Sequence, residues 1–508
     1  MGMGEHNLAV LAELAHERFG GQTTLHFEGR RIPGREIHER STRLGEGFRV
    51  LGVEPGERVV VFMANRPEVG VVYAALWRAG AIITPAIFLL PAPDLRHILE
   101  DSEAVAIVTT PEFAGVAREA AEGVPSIRWV IVAEAAPEGT IALEDLDPAE
   151  PGEIVPREDD DLAAIMYTGG TTGRAKGVML SHANLWHAAK AGQEASFVSG
   201  VNKTLVPIPL SHSYGLIVTV VGMHAVEPGE AELLRWFEPV AFLEAIQGRQ
   251  LQRATVVPSM LQLLLQQPLE DYDLSSLRFM TSGAAPLPVE VAHEFERRVP
   301  NVVICEAYGL TENAAVLAVN PPLARRLGSV GLPVPGSELA ILGEDGAPVT
   351  PGEPGEVCFG GPGVMPGYWH APEATEAALV DGWLHTGDVG RVDEDGYLYI
   401  VDRIKDLILR GGFNVFPRDV EDVLVQHPAV AMAGVVGKPD PVKGEEVVAF
   451  VSLQPGQQAE PAEIVAFAKE RLGRYKYPRE VHVVPAIPVT PVGKIDRKAL
   501  RARVREGI

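Results

Sequence analysis

The chain has 508 residues, of which 46% are hydrophobic and 22% are charged. One hydrophobic core does not normally serve a chain of this length, so we expect a globular protein of two or more domains. The 44 basic and 68 acidic residues give a formal net charge of −24, which argues against nucleic-acid binding and against a polybasic membrane-surface patch.

The two cysteines, Cys305 and Cys358, lie in separate apolar runs and do not have a metal-binding spacing. We expect buried free thiols, which fit a reducing cytoplasm. The first residues show no basic segment followed by an apolar core, and no apolar run is long enough to span a bilayer. The sequence therefore predicts a cytoplasmic protein without integral membrane contact.

The first 160 residues alternate predicted strands and helices. A buried run predicts a strand over 58–63, and the helical spacing of apolar residues predicts a helix over 67–80. A strand over 81–84, a helix near 94–102 and a strand over 104–108 continue the series. This alternation is typical of a layered α/β domain with mostly parallel strands.

A glycine-rich loop, Tyr167 to Gly177, connects apolar runs at 162–167 and 178–180, so we expect a strand-to-strand connection. Glycines allow positive φ, which lets successive N–H groups converge on an anion. Hydroxyls and cations add donors and charge: Thr168, Thr171, Thr172, Arg174 and Lys176. The loop predicts a polyphosphate site. It is not a P-loop, because no Ser or Thr follows Lys176. The alternative is a flexible surface loop, which this mixture of residues disfavours.

Polar clusters follow later predicted strands, at the edge where open α/β sheets bind ligands. A strand over 204–210 leads into Ser211 to Gly215, with a helix predicted from Leu216. Taken alone, His212 is a packing histidine, and it gains functional weight only from its surroundings. A strand starting at 277 leads into a turn of small residues at 283–287, which suits a flat ring lying against backbone.

The predicted strand from 302 leads into a polar turn that ends at Glu312. Tyr308 in this turn can stack on a base, and Glu312 can hold a hard cation such as magnesium. Each such turn also fits a routine corner between a strand and a helix. Their repeated occurrence calls for one shared explanation.

From Pro335 the pattern changes to short strands separated by turns, which predicts a β subdomain over about 335–402. Within it we expect Asp388, beside Gly387, to be an exposed carboxylate that accepts hydrogen bonds from a ribose diol. The last hundred residues alternate strands and helices as a small α+β domain. A loop near its end offers one lysine, Lys494.

Six segments stand in an order that resembles the adenylate-forming superfamily of acyl-CoA synthetases, luciferases and peptide-synthetase adenylation domains: 167–177, 209–215, 308–312, 385–388, 402–406 and 493–497. The resemblance extends from about Gly56 to Leu500. It implies a large N-terminal domain over 1–404, made of layered α/β subdomains and the β subdomain. It also implies a small mobile C-terminal domain over 405–508, with a hinge at Lys405.

The resemblance assigns roles to individual residues. It implies ATP-phosphate contacts from Thr168, Gly170, Thr171, Thr172, Gly173 and Lys176. It implies an adenine side formed by Gly283, Ala284, Ala285, Pro286, Glu306, Ala307, Tyr308 and Gly309. Asp388 and Arg403 would bind the ribose side, and Glu312 would bind magnesium. The implied catalytic residues are Lys494, Thr311 and His212. Two positions depart from the pattern, because Gly169 replaces the usual serine and Ala175 the usual proline, which puts one phosphate contact in doubt.

The implied reaction joins a carboxylic acid to coenzyme A through an acyl-adenylate, with release of AMP and pyrophosphate. After the first step the small domain is expected to turn and to present Gly411, Gly412 and Phe413 to a coenzyme A tunnel. A fatty or aryl monocarboxylate is expected, because the candidate pocket walls are apolar or small and include no cation. These walls are His212, Ser213, Tyr214, Leu216, Pro258, Met260, Ala284, Gly309 and Ala314.

Other readings stay open at this point. A peptide-synthetase domain would place an aspartate where this chain has Ser213, which disfavours an amino acid substrate. The acceptor could instead be a carrier protein, or the reaction could be a luciferase-like oxidation. A non-catalytic nucleotide-binding relative is disfavoured because Lys494, Glu312 and Asp388 are all present. The resemblance leaves a homodimer open, and it implies no nucleic-acid partner.

Overall fold

The computed structural model describes residues 3–134, 136–147, 150–168, 174–343, 345–490 and 494–507. Its strands, in chain order, are β1 (Thr24–Phe27), β2 (Arg30–Pro33), β3 (Arg58–Phe62), β4 (Ile82–Pro85), β5 (Ala106–Thr109), β6 (Trp129–Val132), β7 (Ile141–Ala142), β8 (Leu162–Thr168), β9 (Lys176–Ser181), β10 (Lys203–Val206), β11 (Glu230–Leu233), β12 (Arg253–Val256), β13 (Phe279–Ser282), β14 (Val303–Tyr308), β15 (Ala318–Val319), β16 (Leu332–Pro333), β17 (Glu338–Leu342), β18 (Gly355–Gly360), β19 (Gly367–Tyr368), β20 (Leu379–Val380), β21 (Trp383–Val392), β22 (Leu398–Arg403), β23 (Ile408–Arg410), β24 (Phe413–Val415), β25 (Val430–Asp440), β26 (Gly444–Leu453) and β27 (Glu480–Val483).

The helices, in the same order, are α1 (Leu8–Phe19), α2 (Gly34–Leu51), α3 (Pro67–Arg78), α4 (Ala92–Asp101), α5 (Ala114–Ala121), α6 (His182–Ser196), α7 (Ser213–Met223), α8 (Pro239–Arg249), α9 (Pro258–Leu265), α10 (Val289–Arg298), α11 (Pro372–Ala378), α12 (Pro417–Leu424), α13 (Pro461–Arg471) and α14 (Arg497–Glu506). No helix within the described ranges combines the length and the apolar character that crossing a bilayer requires.

Two large sheets form the body of the chain. One has the strand order β19-β9-β8-β4-β3-β5-β6-β7, and its β3 pairs in parallel with both β4 and β5. The other has the order β16-β15-β14-β13-β12-β10-β11-β1-β2. Its strands β10 to β14 all run parallel to one another. In the first sheet β3, β4 and β5 are buried along almost their whole length, as expected for parallel strands that are covered on both faces. The predicted layered α/β architecture is confirmed.

The β subdomain is a sheet in which β17, β18, β21 and β20 follow one another and β22 pairs with β21. Tight turns join these strands, and the turn at 393–396 closes with a bond from the Asp393 N–H to the Tyr397 carbonyl. The small domain has its own sheet, in which β23, β24, β25, β26 and β27 share a separate buried apolar cluster. This matches the predicted small α+β unit.

The chain passes from the β subdomain to the small domain through a single 3₁₀ turn, Ile404–Asp406. Lys405 lies in this turn, between β22 and β23. Asp406 is buried, and its Oδ1 accepts a hydrogen bond of 2.7 Å from Arg501 on α14. The domain boundary at 404/405 and the hinge role of Lys405 stay predictions, and a short connection of this kind suits them.

Predicted elements over 58–63, 67–80, 81–84, 94–102 and 104–108 all occur, with ends shifted by a few residues. The predicted strand over 204–210 is wrong in length, since β10 stops at Val206. Pro207 and Pro209 lack the N–H groups that continued pairing would need. The helix predicted from Leu216 begins three residues earlier, at Ser213, because the side chain of His212 caps it.

Both cysteines are free and buried, as expected. Burial raises the pKa of the Cys305 thiol and of the Cys358 thiol to about 12, so neither is a thiolate near neutral pH. Neither thiol is therefore activated as a nucleophile.

Gly215 lets α7 approach the chain that precedes it. A Cβ at Gly215 would lie 2.0 Å from the Pro209 carbonyl oxygen and 2.6 Å from the Leu210 Cα. These are backbone atoms, so Gly215→Ala should destabilise the protein by about 1–3 kcal/mol and lower the calorimetric Tm. Gly222→Ala is the control on the same helix, because no atom lies within 4 Å of its added Cβ. Equal Tm shifts for the two variants would contradict this account of the contact.

Candidate active site

The two ends of the glycine-rich loop are the paired strands β8 and β9. Thr168 lies opposite Lys176 in their antiparallel register. Helix α4 holds both ends, because the Tyr167 hydroxyl donates to Asp101 at 2.5 Å and His97 Nε2 lies 3.0 Å from the Ala175 carbonyl. The predicted strand-to-strand connection is confirmed. The positions in the loop that were predicted to contact phosphate or to depart from the family pattern lie outside the described residues: Gly169, Gly170, Thr171, Thr172 and Gly173.

Lys176 and Glu312 meet at one tyrosine. The Lys176 ammonium lies 5.0 Å from the ring centre of Tyr368, and the hydroxyl of that ring donates to Glu312 Oε1 at 2.8 Å. The Glu312 carboxylate is half-buried and keeps lone pairs for another ligand. An oxygen donor of this kind fits a hard divalent cation shared with phosphate oxygens. Sequence reasoning missed Tyr368, which lies in an unremarkable glycine-rich stretch.

His212 is a neutral imidazole with a defined tautomer. Burial and the nearby Lys494 ammonium lower its pKa to about 3. Its Nδ1 accepts the Tyr214 N–H at 3.2 Å, so the ring proton is on Nε2. Next to it, the Thr311 hydroxyl donates to the Ser213 hydroxyl at 3.1 Å. The structure therefore brings together His212, Ser213 and Thr311 from two separate sequence segments.

The small-residue turn after β13 carries backbone strain. Ala284 has φ 68°, a conformation that costs free energy in a residue with a Cβ. The Glu306 carboxylate accepts the Leu287 N–H at 3.3 Å and so ties this turn to β14. Burial raises the pKa of Glu306 to about 7, against the opposing effect of Arg418. Ala285, Pro286 and Ala307 lie in the same two segments, as predicted.

A second strained turn follows β14. Ala314 and Ala315 have φ of 44° and 69°. A Cβ at Gly309 would lie 2.1 Å from the Ala315 carbonyl oxygen, so only glycine fits there. Strain of this kind is typical of functional sites, and here it fixes Thr311 and Glu312 between two constrained positions.

Asp388 is buried, so the prediction of an exposed carboxylate is wrong. The residue is 2% exposed. Tyr308 donates its hydroxyl to Asp388 Oδ2 at 2.6 Å, and Arg403 Nε lies 3.0 Å from Oδ1. The nearby Asp388 carboxylate raises the pKa of Arg403. Tyr308 thus orients the carboxylate, and a stacking role for its ring stays a prediction.

The bulged part of β21 before Asp388 is braced from β18. His385 Nδ1 lies 2.9 Å from Glu356 Oε2 and 3.6 Å from Cys358 Sγ, and the Gly387 N–H donates to Glu356 Oε1 at 3.2 Å. The ligand atoms of Glu356, Cys358 and His385 lie within 4.8 Å of one another, a spacing that a metal ion would accept. Their hydrogen bonds already account for the arrangement, so we interpret this group as a brace for Asp388.

Lys494 comes from the small domain and reaches the Asp388 region. Its backbone pairs with Thr490, whose N–H donates to the Lys494 carbonyl at 2.7 Å. Burial and the Arg403 guanidinium lower the pKa of Lys494 to about 8, while Asp388 and Glu312 oppose that effect. Lys405 is also close enough to help lower the pKa of Lys494. The two domains therefore meet around one ammonium group.

The hairpin that was predicted to line a coenzyme A tunnel lies on the surface of the small domain. Gly411 and Gly412 have φ of 60° and 82° and form the two-residue turn between β23 and β24. Phe413 is 56% exposed and stacks on Tyr475 at 4.9 Å. Its contacts with the described residues lie within the small domain, so a role for this hairpin in binding requires a rearrangement and stays a prediction.

The predicted acyl-pocket residues are mostly buried, and their role as pocket walls stays a prediction. Tyr214 lies on α7, and its hydroxyl donates to the Thr281 carbonyl at 3.0 Å. Leu216, Pro258, Met260 and Ala314 are buried, and a Cβ at Gly283 would lie 3.2 Å from the Tyr214 ring. Sequence reasoning missed Arg253, a cation on β12 whose charge is felt at Tyr214. The sequence signal that could have revealed Arg253 is a charged residue at the start of an apolar central strand.

Comparison with known proteins gives the family. The family model described as AMP-binding enzyme matches residues 12–369, and the model for its C-terminal domain matches residues 419–494. The chain belongs to the AMP-binding enzyme family. Within this family it is 36% identical to the feruloyl-CoA synthase of Amycolatopsis sp, over 95% of this chain and 96% of that protein.

It is 35% identical to a long-chain-fatty-acid–CoA ligase of Bacillus subtilis (strain 168), over 95% of this chain and 92% of that protein. Among solved structures of AMP-binding enzymes, it resembles the amide bond synthetase McbA of Marinactinospora thermotolerans with a TM-score of 0.89. That match has 31% identity and covers 98% of this chain and 99% of the other. The large N-terminal and smaller C-terminal domains of this chain are those of the family.

Removing the Tyr308 hydroxyl tests whether it orients Asp388 for the nucleotide. Tyr308→Phe should raise the Kd for ATP by about five- to tenfold, because one charge-assisted hydrogen bond is lost. Isothermal titration calorimetry measures this change. Tyr399→Phe is the control, since it removes a similar bond of 3.1 Å to Asp393 at another place in the β subdomain. Unchanged ATP affinity in Tyr308→Phe would contradict the assignment.

Proposed function

We propose that this chain is an ATP-dependent carboxylate–CoA ligase. It converts an acid, ATP and coenzyme A into acyl-CoA, AMP and pyrophosphate through an acyl-adenylate. The observation that carries this proposal is the Lys494 ammonium, held by the small domain among groups of the large domain. Its neighbours Asp388, Arg403 and His212 lie on three different segments of the large domain.

The first step needs little acid–base chemistry. A substrate carboxylate is already ionised at neutral pH, so its oxygen can attack the α-phosphorus of ATP directly. The bond from that phosphorus to the bridging oxygen breaks, and pyrophosphate leaves. The protein contributes positioning and charge neutralisation, which are the main terms in phosphoryl chemistry. Lys494 and the Thr311 hydroxyl supply these at the α-phosphate.

His212 is suited to the acid rather than to proton transfer. Because its pKa is lowered to about 3, it stays neutral over the working range of pH. Its Nε2–H can donate a hydrogen bond to a carboxylate oxygen without adding a charge. In our proposal this donor lies at the mouth of an apolar pocket that includes Tyr214 and Leu216, which is what a monocarboxylate requires.

Glu312 would hold the magnesium ion that accompanies ATP in our proposal. When bound, this ion neutralises phosphate charge. The chain's own residues complete the surroundings: Tyr368 orients the Glu312 carboxylate, and Lys176 lies on the other side of the Tyr368 ring. The remaining phosphate contacts fall in the glycine-rich loop, between the anchored ends at Thr168 and Lys176.

The second step requires a different face of the small domain. Lys494 occupies the site in the present arrangement, whereas Leu409, Phe413 and Val442 are 56%, 56% and 88% exposed. The Gly411 N–H donates to the Lys443 carbonyl at 2.8 Å and joins the two hairpins that carry these side chains. An exposed apolar group of this kind suits an interaction surface. Rotation at Lys405 would exchange the two faces, after which the thiol attacks the acyl carbonyl and AMP leaves.

Coenzyme A is the acceptor that best fits the relatives, since the feruloyl-CoA and long-chain fatty-acid–CoA ligases match almost the whole chain. An amine acceptor is the second candidate, supported by the similarity to an amide bond synthetase. For the acid we propose a fatty or aryl monocarboxylate. We further propose a cytoplasmic location, where ATP and coenzyme A are available and Cys305 and Cys358 stay reduced.

Separating the two half-reactions tests the function. Lys494→Ala should abolish acid-dependent pyrophosphate release, yet retain thioester formation from supplied acyl-adenylate and coenzyme A. The control is Lys498→Ala, which removes an exposed lysine four residues away. Assays with an amine in place of coenzyme A decide between the acceptors. Equal loss of both half-reactions in Lys494→Ala would contradict the proposed role of this lysine.

The pH dependence of adenylate formation follows from Lys494. Its protonated form is the active one, and its pKa is lowered to about 8. Protonation is therefore complete at lower pH and is lost as the pH rises. We expect kcat/KM for ATP to be constant from about pH 6 to 7.5 and to fall with the slope of one proton above about pH 8.

Lys494→Arg provides the matched control, because a guanidinium does not deprotonate in this range. Whatever activity this variant retains should lack the fall above pH 8. Pyrophosphate release measured across the pH series gives both profiles. A wild-type profile that stays flat up to about pH 9.5 would contradict the assignment.

A further inference from the structure

Arg253 is an unusual residue for its position in the fold. It begins β12, the central strand of the nine-stranded sheet. Ala254 and Val256, which alternate with it, are buried in the main apolar core. Arg253 and Thr255 therefore point to the opposite face, which α6 and α7 cover. The side chain keeps partial exposure, yet enough protein surrounds it that burial lowers its pKa.

The guanidinium has few partners. Among the described residues its one hydrogen bond is a long one, 3.4 Å from Nη2 to the Ser196 carbonyl at the end of α6. Within the described ranges no carboxylate forms an ion pair with it. The neighbouring Thr255 hydroxyl is buried and lacks a hydrogen-bond partner among the described residues. A half-buried cation without a counter-charge and a buried hydroxyl without a partner both cost free energy, so these groups are expected to meet an acceptor in the working protein.

These groups lie near Tyr214, which forms one wall of the acyl pocket in the proposed function. Thr255 is paired in register with Thr281, whose carbonyl accepts the Tyr214 hydroxyl. Arg253 and Tyr214 are close enough to affect each other's pKa. The carboxyl end of β12 leads directly to Pro258 and the His212 region, whereas Arg253 lies at the amino end of the strand. The three steps from Arg253 to Val256 span about 10 Å, so an acid whose carboxylate lay beside His212 would carry an oxygen about 10 Å away toward Arg253.

We propose that Arg253 binds an oxygen-bearing group at the far end of the acid substrate. This inference rests on the proposed function and refines its substrate: a phenolic oxygen narrows the aryl monocarboxylate class, whereas a distal carboxylate would replace that class with a dicarboxylate. The preferred acid would carry an acceptor oxygen, phenolic or carboxylate, about 10 Å from its reacting carboxylate. A hydroxylated aryl propenoate has this length, and so does a medium-chain dicarboxylate. Arg253 and Thr255 supply the donors, and Tyr214 forms the wall between the two ends.

Paired substrates test the proposal. Pyrophosphate release is measured for 4-hydroxycinnamate against cinnamate, and for decanedioate against decanoate. The wild-type protein should prefer the oxygen-bearing acid of one pair by about tenfold in kcat/KM, the effect of one hydrogen bond to a charged group. The pair that shows the preference identifies the oxygen as phenolic or as carboxylate.

Arg253→Met removes the charge but keeps a side chain of similar length. It should bring the kcat/KM ratio of the preferred pair of acids close to one. Arg253→Lys should retain part of it. Arg278→Met, an exposed arginine just before the neighbouring strand, is the control and should keep the wild-type ratio. A wild-type protein without preference in either pair overturns the inference without any variant. An unchanged ratio in Arg253→Met also overturns it, whereas no release with any acid would contradict the proposed function itself.

Discussion

The whole site depends on one buried ammonium group that two domains share. Lys494 is carried by the small domain, but the charges that set its pKa, Asp388, Glu312 and Arg403, belong to the large domain. Desolvation disfavours the charged form of Lys494, and the carboxylates of Asp388 and Glu312 only partly offset this effect. A polyphosphate would supply the missing negative charge, so nucleotide binding and closure of the small domain should favour each other. Chemistry and domain position are therefore linked through a single residue.

The large domain prepares for this contact with constrained, largely neutral groups. Asp388 is fixed by Tyr308 and Arg403, and the β18 brace holds the bulged part of β21 before it. His212 is kept neutral, and Thr311 lies between the close backbone approach at Gly309 and the strained backbone of Ala314 and Ala315. Preorganised dipoles of this kind stabilise developing charge without reorganising during the reaction. In the proposed acyl pocket the pattern is the opposite, because the half-buried Arg253 lacks a carboxylate partner among the described residues.

Local patterns predicted much of this arrangement. Strands and helices between residues 58 and 109, the antiparallel stems of the glycine-rich loop and the small α+β domain all follow from apolar periodicity and turn residues. The predicted length of β10 was wrong because Pro207 and Pro209 stop the strand pairing inside an apolar run. Burial of Asp388 and the partners of Tyr368 and Arg253 could not be predicted, since they depend on side chains from segments far apart in sequence. The order of motifs, rather than any one motif, pointed to the family.

Isotope transfer tests the central claim most directly. An acid labelled with ¹⁸O in its carboxylate is incubated with ATP and coenzyme A, and the products are analysed by mass spectrometry. Attack of the carboxylate on the α-phosphorus predicts that one labelled oxygen appears in AMP and none in pyrophosphate. Label in inorganic phosphate, with ADP as the nucleotide product, would show attack at the γ-phosphorus and would contradict an acyl-adenylate held at Lys494.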